Sequence, residues 1–191
     1  MKTQKKFIII VGKSATGKSS LANYMINELG YRKYKTVTTR PKRKNENDNE
    51  YEFIPKTRFL KRLDKNLFIE HNTYNVINNG EKDVWYYGTP ILKNLKCNFA
   101  KYIVILTLDG AIKFADFYGR DNCKIIYLHC VDDVRELRAR HRGTFEYKEW
   151  YRRLITDEKD FPKDKVRLLC DKIIDTSHKN TKQIAREVLY G

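Results

Sequence analysis

Short apolar runs recur along the chain, separated by polar stretches whose apolar residues follow helical spacing. Residues 7–11 are wholly apolar and mostly β-branched, and residues 102–108 and 124–130 contain similar apolar runs at 102–106 and 125–128. Runs of this kind predict strands that are buried on both faces of a parallel sheet. Residues 34–38 and 172–175 predict two further short strands. We therefore expect a parallel five-stranded core sheet.

Helical spacing occurs between these strands. Leu21, Met25 and Leu29 share one helix face, and Gly30 follows them as a typical residue at a helix C-terminus. The same reasoning predicts helices over residues 111–117, from Asp132 or Asp133 to a break at 142–144, over 146–159 and over 181–190. Strands that alternate with helices predict an α/β fold of three layers, in which helices cover both faces of the sheet.

Residues 39–89 interrupt this alternation and predict an inserted subdomain. The pattern favours a strand at 51–54, a helix at 57–63 capped by Thr57, a strand at 67–69 that ends at Glu70, and a hairpin within 71–86 that turns at 78–80. Thr89 and Pro90 match the first two positions of a helix that runs to about Leu95.

A phosphate-binding pattern joins the first strand to the first helix. Residues 12–19 are GKSATGKS and satisfy G-x-x-x-x-G-K-[ST], in the strand–loop–helix context that this pattern requires. The glycines let successive N–H groups surround an anion, at which the following helix points its positive end. Lys18 can then reach the β- and γ-phosphates, and the Ser19 hydroxyl can bind Mg²⁺. The pattern therefore predicts a nucleoside-triphosphate site within a P-loop fold.

Composition limits the class of protein and the cellular compartment that we expect. The chain has 191 residues, of which 41% are hydrophobic and 33% charged, as is typical of a globular domain. No apolar run approaches the ~20 residues of a membrane span, and the first run is too short for a signal peptide. The four cysteines and four histidines form no ligand pattern, so we expect reduced thiols and a cytoplasmic protein.

The net charge of +15 predicts an anionic partner. Nucleic acid is one such partner, and a pair of phosphorylated nucleotides is another, because both require many Arg and Lys side chains. The charge alone does not choose between them. The sequence lacks the repeated interleaving of aromatic and Arg residues that a nucleic-acid surface would show. We therefore expect small nucleotides as partners, no membrane, and either a monomer or a homodimer.

Five motifs in order give the chain its resemblance to a known family. They are the loop 12–19, residues 38–43 (TTRPKR) with Glu46, Tyr51 and Phe53, residues 68–70 (FIE), residues 86–89 (YYGT), and residues 138–144 (RARHRGT) with Arg153 and Leu154. In these motifs the chain resembles the guanylate kinase family over nearly its whole length. The resemblance implies a single domain with a core of residues 1–38, 90–137 and 159–191, a nucleoside-monophosphate-binding insert of residues 39–89, and a lid of residues 138–158.

The resemblance also implies an activity, a cofactor and roles for individual residues. The reaction is transfer of the γ-phosphoryl group of ATP to GMP or dGMP, assisted by Mg²⁺. The implied ATP-binding residues are Gly12, Lys13, Ser14, Ala15, Thr16, Gly17, Lys18, Ser19 and Ser20, with Ser19 on the metal ion. The implied GMP-binding residues are Thr36, Arg40, Arg43, Tyr51, Glu70, Tyr87 and Thr89. The implied catalytic residues are Lys18, Arg40 and the lid arginines Arg138, Arg142 and Arg153.

The chemistry of the residues agrees with this reaction. A nucleoside monophosphate is already an anionic nucleophile, so the protein has to align and neutralise phosphates rather than supply a general base. Many arginines and the absence of a Ser-His-Asp pattern fit that requirement. The Glu70 carboxylate can accept hydrogen bonds from N1–H and the exocyclic amine of guanine, a two-donor edge that adenine lacks.

The chain departs from the family pattern in three places. Lys13 and Ala15 stand where the family usually has Pro and Gly, and Ala15 should restrict the loop backbone. Ile105 and Thr107 occupy positions that are usually acidic, which leaves Asp109 as the one carboxylate there. The segment between Glu70 and Tyr87 is longer than usual. These departures bear on turnover and on the choice of base.

Three other functions stay open at this point. The chain could be a P-loop kinase that acts on another phosphorylated acceptor, although Glu70 argues for guanine. It could be a guanylate-kinase-like scaffold whose acceptor pocket holds a phosphopeptide, although the phosphate loop is intact. A basic nucleic-acid-binding protein is the third alternative.

Overall fold

The structure is a computed structural model that describes residues 6–42, 51–78, 81–92, 95, 100–141 and 145–190. The chain divides into two compact units, residues 1–32 with 100–191 and residues 33–99. The strands are β1 Phe7–Val11, β2 Arg32–Lys33, β3 Thr36–Thr38, β4 Tyr51–Phe53, β5 Phe68–Asn78, β6 Glu81–Pro90, β7 Tyr102–Ile105, β8 Cys123–His129 and β9 Lys172–Asp175. The helices are α1 Lys18–Leu29, α2 Lys56–Asp64, α3 Leu108–Tyr118, α4 Asp132–Arg140, α5 Tyr147–Asp160, α6 Lys163–Leu169 and α7 Thr181–Tyr190, with a 3₁₀ turn at Arg120–Asn122.

A five-stranded sheet in the order β2-β7-β1-β8-β9 forms the centre of the first unit. β1 pairs in parallel with β7 and β8, and β8 pairs in parallel with β9. Side chains of β1 alternate between the two faces. Ile8 and Ile10 pack in a cluster with residues of α1 and α7, and Phe7 contacts Phe114 of α3 with ring centroids 5.1 Å apart. Helices therefore cover both faces, and the predicted three-layer α/β fold is confirmed.

A strand end and a short helix in the first unit differ from the expectation. The strand predicted over residues 102–108 ends at Ile105, because Thr107 caps α3 by accepting a hydrogen bond from the Gly110 N–H at 3.2 Å. The short helix α6 has too few turns to show a clear apolar period and was not predicted. None of the described helices combines the length and the apolar character that a membrane span needs.

The second unit holds a four-stranded sheet in the order β4-β3-β6-β5. The predicted strand 34–38 contributes β3 to this sheet, and the neighbouring β2 belongs to the five-stranded sheet. The predicted hairpin is confirmed as the antiparallel pair β5–β6, although its turn at residues 79–80 lies outside the described residues. β5 does not end at Glu70 but continues to Asn78.

The helix predicted from Thr89 to about Leu95 is wrong, since none of its described residues, 89–92 and 95, is helical. Thr89 and Pro90 end strand β6, opposite Glu70 and Phe68 of β5. A Thr-Pro pair suits a helix start, but it equally suits the end of a strand, where proline leaves no ladder hydrogen bond unmade. The predicted cap of α2 is also wrong, because Pro55 rather than Thr57 precedes that helix.

A bulge between Phe68 and Glu70 shapes the second unit. Residues two apart on a regular strand share a face, but the extra residue of a bulge reverses that relation. Phe68 stacks on Phe59 at 4.5 Å between centroids and lies directly against Gly88, whereas Glu70 faces the side of Thr89. The bulge therefore sends the aromatic ring into the apolar cluster and the carboxylate to the opposite face.

Gly88→Ala should destabilise the protein by about 1–3 kcal/mol, the usual cost of overpacking. A Cβ at this position would lie 2.7 Å from the Phe68 ring and 3.0 Å from Phe59 Cζ. Urea unfolding of the unmodified protein and of the variant measures the difference in the free energy of unfolding. The double variant with Phe68→Leu should lose less stability than the sum of the losses in the two single variants. An unchanged free energy of unfolding in Gly88→Ala would contradict the packing described here.

Candidate active site

The phosphate loop, residues 12–19, connects β1 to α1 in the first unit. Gly12 has φ +149° and lies so close to the neighbouring strand that a Cβ there would approach the Leu128 carbonyl oxygen to 2.6 Å. Gly17 has φ +96° and directly precedes α1. Lys18 Nζ donates to the carbonyl oxygens of Gly12 at 2.7 Å and Lys13 at 2.6 Å, so its ammonium group spans the loop. The loop has the backbone that the sequence pattern predicts.

Ala15 is the strained residue of the phosphate loop. It is buried and adopts φ +60°, the left-handed conformation that costs a residue with a Cβ roughly 1–2 kcal/mol. The expectation that Ala15 restricts the loop therefore has a physical basis, because glycine would adopt this conformation without that cost. Thr16 Oγ1 donates to the Lys13 carbonyl at 3.0 Å and stabilises the same turn.

Helix α5 anchors the phosphate loop through a buried ion pair. Arg135 of α4 is fully buried, and its guanidinium binds the carboxylate of Asp157, which is itself 7% exposed. Arg135 Nε also donates to the Ser14 carbonyl at 2.7 Å. Asp157 Oδ2 accepts from the Ser14 N–H at 2.8 Å, and Oδ1 accepts from Ser14 Oγ at 3.2 Å. Ser14 is thus held by both members of the pair.

An ion pair between the residue before Ser14 and the residue after Asp157 lies beside this anchor. Lys13 forms an ion pair with Glu158, whose side chain is 63% exposed. An exposed pair of this kind contributes little to stability, because solvent screens it. Asp160 follows on the same helix, and burial together with the nearby Asp157 and Asp109 raises the pKa of its carboxyl group.

Of the three arginines that the family resemblance assigns to a lid, Arg138 and Arg153 are described, and both bind protein groups. Arg138 donates to the Thr176 carbonyl at 2.7 Å and to Thr176 Oγ1 at 3.2 Å, and Thr176 Oγ1 lies 3.0 Å from the Thr16 carbonyl. Arg153 Nε donates to Glu149 at 2.8 Å. Burial opposes ionisation of Glu149, but hydrogen bonds from Arg152 and Arg153 outweigh it and lower its pKa to about 2. Arg142 lies outside the described residues.

The second unit brings the predicted base-recognition residues together. Glu70 is 9% exposed; its Oε1 accepts from Thr89 Oγ1 at 2.5 Å, and its Oε2 accepts from Asn72 Nδ2 at 3.0 Å. Thr89 is fully buried and stands opposite Glu70 in the β5–β6 pair. Thr36 is buried on β3 of the same sheet. A buried carboxylate held by two donors is suited to bind a ligand that offers further donors.

Arg40 and two tyrosines form the other part of this sheet's polar region. Arg40 is 4% exposed, donates to the Pro41 carbonyl at 2.8 Å, and lies over the rings of Tyr51 and Phe53 at 5.8 and 5.5 Å. The Tyr51 and Tyr87 rings meet edge to face at 6.0 Å. The aromatic faces hold the guanidinium in place. Arg43, the other predicted phosphate ligand, lies outside the described residues.

The described residues include the predicted metal ligand and three of the four cysteines. No group of three His, Cys, Asp or Glu side chains in that part of the chain could hold a metal ion. Ser19, which the sequence predicts as the Mg²⁺ ligand, lies in the first turn of α1. Cys123, Cys130 and Cys170 are free thiols, and burial raises the pKa of Cys170 to about 12. Cys97 lies outside the described residues.

Three residues at these sites were not predicted from the sequence. Arg135 and Asp157 occur among many charged residues of two polar helices, and nothing in their spacing marks them as buried partners. Asn72 could have been predicted as a neighbour of Glu70, because residues two apart on a strand share a face and the strand continues past Glu70. It was missed because the strand was predicted to end at Glu70.

The strand, glycine loop and helix at one edge of a parallel sheet define a P-loop nucleotide-binding protein of the α/β class. A sequence model of the family described as guanylate kinase matches residues 4–104. The guanylate kinase of Chlorobaculum tepidum is 30% identical over 150 residues, which cover 75% of this chain and 72% of that protein. The chain belongs to the guanylate kinase family.

Two further comparisons agree with this assignment. The guanylate kinase of Prochlorococcus marinus strain MIT 9312 is 29% identical over 160 residues, which cover 81% of this chain and 82% of that protein. The crystal structure of guanylate kinase from Anaplasma phagocytophilum is similar with a TM-score of 0.60 and 22% identity, covering 98% of this chain and 84% of that one. The latter similarity shows the shared fold.

Proposed function

We propose that this protein transfers the γ-phosphoryl group of ATP to GMP or dGMP, giving ADP and GDP or dGDP. The observation that carries the proposal is the buried Glu70 carboxylate, oriented by Thr89 and Asn72 in a chain that also has an intact phosphate loop. A carboxylate accepts from both N1–H and the exocyclic amine of guanine. Adenine presents no such pair of donors, so the carboxylate supplies the preference for guanine.

The donor half of the reaction rests on the phosphate loop. The loop N–H groups and the N-terminus of α1 bind the β-phosphate, and Lys18 neutralises charge on the β- and γ-phosphates. To do so, its ammonium group exchanges one of its two carbonyl partners for phosphate oxygen. Ser14, anchored by Arg135 and Asp157, keeps the start of the loop in register. The loop is therefore preorganised before ATP binds.

The acceptor half needs cations and hydroxyl groups at the monophosphate. Arg40 supplies a fixed guanidinium, and the Tyr51 and Tyr87 hydroxyl groups donate to phosphate oxygens, with Arg43 as a further cation. Thr36 and Thr89 complete the contacts to the base. The acceptor phosphate oxygen attacks the γ-phosphorus, the bond to the ADP oxygen breaks, and no general base is required. Arg138, Arg142 and Arg153 act as lid residues on the transferred group.

The proposal includes a magnesium ion that is bound together with the ATP phosphates. The Ser19 hydroxyl would hold the ion, and phosphate oxygens and water would supply the other ligands, as is usual for Mg²⁺. When bound, the ion neutralises charge on the β- and γ-phosphates. The proposal also includes the division into a core of residues 1–38, 90–137 and 159–191, an acceptor-binding insert of residues 39–89, and a lid of residues 138–158. A cytoplasmic location follows from the need for ATP.

A coupled assay of ADP release tests the proposed function directly. Purified protein, ATP and Mg²⁺ are combined with GMP, dGMP, AMP or CMP in separate reactions, with a reaction that lacks an acceptor as the control. We expect rapid ADP release in the reactions that contain GMP or dGMP and not in those that contain AMP or CMP. If none of the four acceptors raised the rate above that of the control, the result would contradict the proposal and would favour the scaffold alternative.

Glu70→Gln should lower kcat/KM for GMP by about 10²-fold, because a site built for hydrogen bonds loses its match. Glutamine keeps the shape, but its NH₂ group must face a donor, whether that donor is guanine, Thr89 or Asn72. Any slow turnover of AMP should change little, since adenine does not use the carboxylate. Equal losses with all four monophosphates would indicate damage to the fold, and an unchanged GMP efficiency would contradict the role of Glu70.

A further inference from the structure

The long hairpin places a second polar side chain beside the Glu70 carboxylate. Asn72 donates from Nδ2 to Glu70 Oε2 at 3.0 Å, the only side-chain hydrogen bond that it forms with the described residues. A carboxylate cannot donate, so the amide orientation at this contact is determined by chemistry: the nitrogen faces Glu70. The contact therefore directs a hydrogen bond at one chosen oxygen of the residue proposed to recognise guanine.

The register of the hairpin explains why Asn72 reaches this position. Glu70 stands opposite Thr89, and Asn72 stands opposite Tyr87, so these four residues share one face of the β5–β6 ribbon. The bulge before Glu70 turns this face away from the Phe59–Phe68 stack. On this face Asn72 lies next to the carboxylate and opposite Tyr87, whose ring meets that of Tyr51. Asn72 thus belongs to the acceptor region rather than to the apolar cluster.

Two donors from different strands hold the carboxylate in one plane. Thr89 on β6 binds Oε1, and Asn72 on β5 binds Oε2. The terminal torsion of a glutamate side chain is broad, so a carboxylate with one anchor can rotate about it. Two anchors on different oxygens remove that freedom. A fixed plane matters most for a ligand that presents two parallel donors, because both must meet their oxygens at once.

We propose that Asn72 is a positioning residue for base recognition, which holds the plane of the Glu70 carboxylate so that both oxygens can accept from guanine. The inference rests on the proposed function and adds a role for Asn72 on the hairpin. That role is to discriminate purines that offer two donors to Glu70 from purines that offer one. Hypoxanthine presents N1–H but no exocyclic amine, so it needs one oxygen of Glu70 and tolerates a rotated carboxylate. Asn72 therefore controls the preference for GMP over IMP.

The test compares kcat/KM for GMP and for IMP in the unmodified protein and in Asn72→Ala. We expect the GMP value to fall about tenfold, the effect of a hydrogen bond to a charged group, and the IMP value to fall about two- to threefold. The GMP-to-IMP ratio should therefore decrease. Asn72→Asp keeps the shape but places a like charge beside Glu70, so it should lower the ratio further.

Asn75→Ala is the matched control. Asn75 is exposed on the same strand and stands opposite Val84, on the other face of the ribbon, so its ratio should equal that of the unmodified protein. An unchanged ratio in Asn72→Ala, or equal losses with both nucleotides, would overturn the inference while GMP activity of the unmodified protein still supports the proposed function. Absence of turnover with both nucleotides in the unmodified protein would instead contradict the proposed function itself.

Discussion

Lys18→Met should reduce phosphoryl transfer by roughly 10²- to 10³-fold, the scale of losing one preorganised charge contact in an active site. The ammonium group is held by the carbonyl oxygens of Gly12 and Lys13, at the loop that we propose to bind the ATP phosphates. Methionine has a similar length and no charge. The fall should appear in kcat, because charge on the transferred group increases toward the transition state. The measurement is steady-state turnover of GMP at saturating ATP.

The fold of Lys18→Met should stay intact, which urea unfolding can verify. Lys113→Met is a suitable control, because Lys113 is an exposed lysine on α3 of the same unit and plays no part in the proposed site. Its turnover should match that of the unmodified protein. Unchanged turnover in Lys18→Met would mean that the loop does not bind the transferred phosphate, and the scaffold alternative would then be favoured.

Asp157→Ala should destabilise the protein by about 3–5 kcal/mol, the usual result of removing one partner from a buried ion pair. Arg135 has no exposed surface, so its Nη2 group loses its carboxylate partner without gaining water, whereas Nη1 keeps its ion pair with Asp132. Ser14 loses two hydrogen bonds in the same variant. We therefore expect a lower urea midpoint and, in the protein that remains folded, a higher KM for ATP.

The adjacent carboxylate provides the control for this prediction. Glu158→Ala removes the exposed partner of Lys13 and should cost less than about 1 kcal/mol. The double variant Arg135→Met with Asp157→Leu replaces the buried pair by apolar groups and should recover much of the lost stability. Its KM for ATP should stay high, because Ser14 still lacks its anchor. A small effect of Asp157→Ala on stability would contradict the prediction and would mean that the ion pair with Asp132 suffices for Arg135.

The phosphate loop and the residues around Glu70 differed in how far the sequence could predict them. The phosphate loop was predicted residue by residue, because its determinants lie within one short segment between a strand and a helix. The acceptor residues Glu70 and Thr89 were named through the family resemblance, and the structure brings them within hydrogen-bond distance. The local pattern around Thr89 nevertheless favoured a helix, since a cap and a strand end use the same Thr-Pro pair.

The sequence by itself determined the α/β class, the central buried strands and the phosphate loop, since each depends on neighbours along the chain. Only the tertiary structure decided which side chains face one another across elements. The bulge before Glu70 placed Phe68 and Glu70 on opposite faces, and the register of β5 and β6 placed Asn72 beside the carboxylate. The packing of α4 and α5 joined Arg135 to Asp157, 22 positions apart. Such pairs depend on non-local geometry, because a charged residue on a helix has the same local pattern whether it is solvated or buried with a partner.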